Sequence, residues 1–412
     1  MRNFDRKKRI LCFMVSLIFS FSALGQSLYE DPYQWKIPGG KYVDPVSFFS
    51  LHGYVNAIFA GASDQWMEGS TNGLGYPGQM NIPLANTSSF GQDAALWIGS
   101  EIAEDVSLVL EIHLHKNGSG HHGEFENIDP ADAKAYIGLF VTEANVRVKL
   151  IKDYLNVSAG TFWSVFGIQN KDWLSAQNLF STIPIASGAY LSHYNDIGVR
   201  FDGFLNKGDW GVNYVFSVGN GYDRWDIDGF GHADINENKT INGRLSVFPG
   251  LGENLNIGMS YGQGLFAQYD HHNVDPNAQG VYDHSFEAFG LDLTGKWNGL
   301  NLRSYFISSS EQFKNDQEEF NLPHTGLMAE LQYNIPMEGK FGIETFIPKF
   351  RFDTLDKSQF IEETSDEYQT ISAGFNIVIK KNVVFGLDYN WFEEKYNKLD
   401  NDRFIARITA NF

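Results

Sequence analysis

The sequence predicts an all-β protein: a sixteen-stranded antiparallel transmembrane β-barrel with short turns at one rim and long loops at the other. Three observations carry that expectation. At the end of the chain Phe404, Ala406, Ile408, Ala410 and Phe412 alternate with Arg403, Ile405, Arg407, Thr409 and Asn411, and a period of two sorts these sets onto opposite strand faces. The same alternation recurs along most of the chain. The composition, with 34 Phe, 19 Tyr, 9 Trp and 41 Gly, favours strands with aromatic surfaces. A soluble fold would have to cover the apolar face with protein, whereas in a membrane barrel it meets lipid and the polar face lines the lumen. A last strand ending on Phe, as here, is a closing signature of such barrels.

The N-terminus reads as an export signal. Arg2, Arg6, Lys7, Lys8 and Arg9 precede an apolar stretch from Ile10 to Leu24, and Ala23-Leu24-Gly25 supplies small residues for cleavage. The mature chain is expected to begin at Gln26. Residues 1–25 are the signal, 26–45 a periplasmic lead-in with Pro32, Pro38 and Pro45, and 46–412 the barrel domain. Cys12 is the only cysteine and leaves with the signal, so neither a disulfide framework nor a cysteine metal site is available. Removing a signal of net charge +4 takes the chain from −19 to −23. Nucleic acid is thereby excluded as a partner.

Sixteen alternating segments follow in order. The first is Phe48–Ala60. Phe90–Ile102 and Val106–Lys116 turn at Ala103-Glu104-Asp105, and Lys134–Ile151 and Tyr154–Trp163 turn at Lys152-Asp153. Asp196–Leu205 and Asp209–Gly219 meet at Asn206-Lys207-Gly208, and Asn238–Phe248 and Asn254–Phe266 at Pro249–Glu253. Ser285–Trp297 and Gly299–Ser308 turn at Asn298, and Thr325–Ile335 and Lys340–Phe352 around Pro336–Gly339. Tyr368–Ile379 and Val383–Glu394 turn at Lys380-Lys381-Asn382, and the C-terminal strand is the sixteenth. Short and long connections alternate, which is the hairpin order of an up-and-down barrel. Trp210, Trp297, Tyr333, Tyr389 and Trp391 stand near strand ends on the apolar phase, where an interfacial girdle belongs.

Ser158-Ala159-Gly160-Thr161-Phe162 with Val165-Phe166-Gly167, then Asp196 to Gly203, then Trp210 to Gly221, resemble successive stretches of the phosphate-selective porins of the O and P type. Val165 stands where those porins have Pro. The resemblance implies an outer-membrane homotrimer embedded in lipid, with a third extracellular loop folded into the pore. Here that loop is Ser164–Asn195, and its Lys171, Asp172, Trp173, Gln177, Asn178 and His193 are the candidates for a constriction. Asn72 and its Gly-rich loop, Gly61–Ser89, are a second candidate cover for the mouth.

The inward phase carries Arg147, Lys149, Arg200, Arg244, Arg303 and Arg407, with the acids Glu101, Glu111, Asp202, Asp292, Glu330, Glu344 and Asp388. Of these, Arg147, Lys149, Arg200, Asp202, Arg244, Asp292, Arg303, Glu330, Asp388 and Arg407 are the expected pore lining. Mixed charges set a transverse field that orders water and polar solutes. A phosphate channel needs a dense basic ladder, and none is present. The expected function is passive diffusion of small hydrophilic solutes and ions, with weak or mildly cationic selectivity. A substrate-selective channel for anions or carbohydrates, and an adhesin or receptor acting through the long loops, are the alternatives.

No cofactor and no metal is expected. His113 and His115 share a strand face and His121-His122 follow, but nothing in the spacing marks a third zinc ligand. The acidic stretch Asp223, Asp226, Asp228, Asp234, Asn236, Glu237 lacks the spacing of a calcium loop. No Gly-x-Ser-x-Gly elbow occurs and no acid/base pair is marked by spacing, so an enzyme is not expected.

Overall fold

The computed structural model describes residues 50–62, 88–117, 136–151, 154–168, 178, 180–189, 195–221, 239–250, 254–266, 283–314, 319–337, 339, 342–357, 366–380, 382–394 and 402–412. The expected signal, the lead-in, Asn72, His121, His122 and the 223–237 acidic stretch lie outside the described residues.

Sixteen antiparallel strands form one closed sheet. They are β1 (Ser50–Ala62), β2 (Ser88–Ala103), β3 (Val106–Asn117), β4 (Tyr136–Ile151), β5 (Leu155–Trp163), β6 (Asn195–Lys207), β7 (Trp210–Gly219) and β8 (Thr240–Phe248). The second half comprises β9 (Leu255–Phe266), β10 (Asp283–Trp297), β11 (Leu300–Lys314), β12 (Glu319–Tyr333, prolonged by Ile335–Pro336), β13 (Ile343–Lys357), β14 (Asp366–Ile379), β15 (Val383–Glu394) and β16 (Arg403–Asn411). Each strand pairs with its neighbours in sequence, and β16 returns to β1 in a register running from Tyr54↔Asn411 to Ala62↔Arg403. Reciprocal backbone bonds of 3.0 Å between Gly53 and Phe412 extend that seam. Closure removes every free sheet edge, which a lipid environment requires because nothing there can satisfy bare N–H and C=O groups.

Turn chemistry fixes the smooth rim. Asn298 and Gly299 both take positive φ, 45° and 87°, the pair of left-handed residues that a tight hairpin demands and that Asn-Gly supplies cheaply. Asp105 and Lys380 take positive φ in two other short turns.

The side-chain period of two then decides the environment of each residue. Phe201, Phe216, Leu245, Met259, Leu291, Phe350, Phe404 and Ile408 are exposed on the outer surface, whereas Asn56, Glu111, Asp202, Ser246, Arg351 and Asn390 alternate inward and are buried. This is the inverse of a soluble protein and the arrangement of a wall with hydrocarbon outside and a polar interior. Trp210 and Tyr333 are exposed outward near the short-turn rim, and Trp391 near the other rim.

One connection differs from the expectation. The polar run Ser309-Ser310-Glu311 and Pro323 fall in the expected long loop between the eleventh and twelfth segments, but β11 continues to Lys314 and β12 begins at Glu319, with Pro323 opposite Ser310 in the ladder. The physical reason lies inside the barrel. Ser309, Glu311, Leu322 and His324 are buried on the inner face, and the Ser309 hydroxyl donates to the carbonyl of Ala189 from an inner segment.

Candidate channel and its inner loop

Placement of the ten expected lining residues begins with strand phase. Arg147 and Asp202 meet across β4–β6 at 2.5 Å, and Asn156 Nδ2 donates to the same carboxylate at 3.0 Å. Arg200 lies 3.6 Å from Asp202 and 3.9 Å from Glu143. Arg244 on β8 reaches across β9 to grip Asp292 on β10 with two bonds of 2.7 and 3.0 Å. Gly258 makes that reach feasible, since a Cβ there would stand 2.4 Å from the Asp292 carboxylate and 2.6 Å from the guanidinium. Two-pronged contacts of this kind are the stronger sort of ion pair. Lys149 is exposed beside the register shift that ends β4, apart from these pairs.

On the opposite side the charges are joined in cross-strand rows. Arg303, Glu330, Arg351, Ser372, Asn390 and Arg403 face one another in direct register from β11 to β16. Arg351 donates to Glu330 at 2.9 and 3.1 Å, and Lys349 Nζ sits 2.7 Å from Asp388 and 2.8 Å from Asn376.

The chain after β5 lies against this wall. Ser164–Ile168 turns inward, with Gly167 N donating to Ser260 Oγ at 2.9 Å. Phe166 and Ile168 join Ile185, Ala186 and Ala189 of a short 3-10 turn, Ile185–Ala189, in an apolar cluster with Phe286, Ala288, Tyr305, Ile307, Met328 and Leu355. Burying such side chains away from lumen water contributes roughly 1.5–3 kcal/mol each. Polar contacts complete the seating. Asp353 accepts from the backbone N–H groups of Ile185 and Ala186 at 2.5 and 3.3 Å, and Asp388 from that of Ser181 at 2.8 Å. Arg351 donates to Thr182 O and Asn178 Oδ1, and Arg407 to Phe180 O and Asn178 O. The Phe180 ring, fully buried, lies 4.2 Å from the Arg351 guanidinium and 4.7 Å from Lys349 Nζ, within cation–π range. At Gly326 a Cβ would stand 2.2 Å from Ala186 O, so the absence of a side chain there admits the turn.

Asn178 is thus the one residue of the expected constriction set within the described residues; Lys171, Asp172, Trp173, Gln177 and His193 lie outside them. Lys349, Arg351 and Asp353 escaped the sequence reading although Lys349-Phe350-Arg351-Phe352-Asp353 alternates cleanly. The register shift between Ile343 and Thr345 reverses the phase, so counting inward from Glu344 assigns Lys349 and Arg351 to the wrong face, and Asp353 lies one residue past the expected end of that segment. Glu143 and Asn145 were also missed; Asn145 donates to Glu143 at 2.8 Å. Glu143 lies opposite Glu111, whose carboxylate takes His113 at 2.5 Å and Trp163 Nε1 at 2.7 Å. Among the described residues no group of three or more His, Cys, Asp or Glu side chains is arranged to hold a metal ion.

A closed sixteen-strand wall, apolar outside, charged within and carrying an inward-folded loop, has the architecture of the outer-membrane porins and channels. Three solved structures share it: the outer membrane channel DcaP of Acinetobacter baumannii (9% identity, 88% of this chain and 97% of that one, TM-score 0.58); OmpT of Vibrio cholerae in its trimer form (8%, 88% and 99%, 0.53); and an anion-selective porin from Comamonas acidovorans (11%, 88% and 99%, 0.52). At these identities the likeness is one of fold. No protein-family model matches the chain, and no curated protein matches it in sequence.

Proposed function

We propose that this protein is an outer-membrane porin, a water-filled channel for passive diffusion of small hydrophilic solutes and ions, exported by a cleaved N-terminal signal. The observation that carries the reading is the inversion of the wall: exposed apolar side chains outside and a closed inner face of paired charges. A sixteen-stranded barrel is too wide for side chains alone to fill. Arg147, Lys149, Arg200, Asp202, Arg244, Asp292, Arg303, Glu330, Asp388 and Arg407 are the proposed lining. Asn178, with Lys171, Asp172, Trp173, Gln177 and His193, is the proposed narrowing.

Anion specificity of the phosphate-selective kind is not part of the proposal, because Arg147, Arg200, Arg244, Lys349 and Arg351 each have a carboxylate beside them. Weak or mildly cationic selectivity fits that balance. A homotrimer in lipid is the proposed assembly, in keeping with the trimer form of the Vibrio cholerae relative in fold. Purified protein reconstituted in planar bilayers should give ohmic conductance steps, and proteoliposomes should swell in small sugars with a size cut-off. Intact folded barrels that pass neither ions nor sugars would refute the proposal, and ligand capture without conductance would favour a loop receptor instead.

A further inference from the structure

The inner face of β1–β3 carries an aromatic cluster that the charge pairs of the wall leave unexplained. Tyr54, Trp97, Glu111 and His113 share the inward phase, because Tyr54 and His113 both lie opposite Ala95 and Trp97 lies opposite Glu111. Trp163 joins them from the end of β5. Its Nε1–H donates to Glu111 Oε2 at 2.7 Å, and its ring lies 6.3 Å from His113. The Tyr54 and Trp97 rings are 5.8 Å apart. Four rings thus gather around one carboxylate, and that carboxylate is fully buried. Its second oxygen, Oε1, lies 2.5 Å from His113 Nε2, so ring nitrogens hold both oxygens.

Neighbouring inner carboxylates are answered by guanidinium groups, Glu143 by Arg200 at 3.9 Å and Asp202 by Arg147 at 2.5 Å. Glu111 has no lysine or arginine at ion-pair distance among the described residues. A buried charge left to neutral donors favours a cation close by. That cation cannot coordinate Glu111, whose oxygens are taken and shut away from the lumen. It meets Trp97 and Trp163 instead, the two half-buried rings of the cluster, and indole is the side-chain ring that attracts cations most strongly. A metal ion needs oxygen ligands, whereas an alkylated ammonium ion suits a ring face. Resting on the porin reading, we propose that Trp97 and Trp163 form a binding site on the lumen wall for organic ammonium ions. Glu111 is its positioning residue: it orients the Trp163 indole and supplies negative charge behind it. A neutral sugar gains nothing from that charge.

Choline and its uncharged carbon analogue dimethylbutanol differ at one atom, N⁺ against C, and so separate charge from shape. Saturation-transfer NMR is run on the full-length, detergent-folded barrel at about pH 8, where histidine is ordinarily neutral, with empty micelles subtracted. Choline should bind at least about twofold more tightly than the analogue. Trp97→Leu and Trp163→Leu should each weaken choline about two- to fivefold, and Trp163→Phe, which keeps a ring face, less. Glu111→Gln should weaken choline at least about twofold while leaving the analogue unchanged, a difference that a merely structural role would not produce. Equal affinity for choline and the analogue would overturn the proposal, as would glucose binding that falls in the tryptophan variants but ignores Glu111→Gln. Absence of choline binding by barrels that conduct in bilayers would also overturn it, and would leave the porin reading standing. Barrels that bind choline in the expected pattern yet conduct nothing would keep the site and remove the porin reading. Folding of each variant is checked beforehand by resistance of the barrel to heat-induced mobility change on gels.

Discussion

On β4 and β6 a charged side chain finds its partner in another side chain, whereas on β13 and β16 it finds the backbone of a loop. Arg147 and Asp202 close on each other within the wall. Arg351 and Arg407 instead spend donors on Thr182 O, Phe180 O and Asn178 O. The first arrangement leaves the Arg147 side chain 17% exposed, so that part of it can exchange a protein bond for a hydrated one. The second does not, because the loop, once seated, buries its partners and any bond then lost is lost in a dry place. The same residue types thus pair side chain to side chain in one sector and anchor a loop in the other.

The largest test of that contrast is Arg351→Ala. It strips Glu330 of its two-pronged partner and the loop of two anchors within a buried network, and should cost about 3–5 kcal/mol in urea unfolding of the lipid-folded barrel. Arg147→Ala on the other wall, where the side chain is 17% exposed, should cost less; equal losses would erase the distinction between the sectors. Next is Leu291→Arg on the outer face. Placing a cation against hydrocarbon should destabilise by about 2–4 kcal/mol near the bilayer centre, and no loss in lipid would contradict the inside-out assignment.

Gly326→Val should cost about 1–3 kcal/mol by overpacking, but its diagnostic effect is on the pore. A side chain there collides with Ala186 O and pushes the turn off the wall, so single-channel conductance should rise while the barrel still folds. The smallest expected effect is an internal comparison on β4: Lys149→Ala should leave the unfolding midpoint unchanged. A double-mutant cycle on Arg244 and Asp292 should meanwhile yield a coupling of roughly 0.5–3 kcal/mol.

Most strands were legible because lipid and water impose a strict alternation that few other environments require. The short turns were legible too, Asn298-Gly299 most clearly, since only certain residues take positive φ without cost. Legibility failed where two effects share one signal. Ser309–Glu311 is polar enough for a loop, but inside a barrel polar is also what an inward strand face looks like, so β11 was cut short. Glu344 was placed on the inner phase because a one-residue register shift leaves no mark in composition. It conceals Lys349 and Arg351 by reversing every side chain beyond it, while Asp353 was missed because the segment was ended at Phe352.

By itself the sequence determined the wall: sixteen alternating segments, an apolar phase and a charged phase, and tight turns at one end, because each of these is a local rule written in neighbouring residues. Only the tertiary structure decided which inner charges pair with each other and which hold the loop. Those contacts join Asn178–Ala189 to β11–β16, separated by more than a hundred residues, and strand period cannot say where a loop will come to rest. Its resting place follows from a shaped apolar cluster and a matched set of backbone donors and acceptors, which exist only once the cylinder has closed.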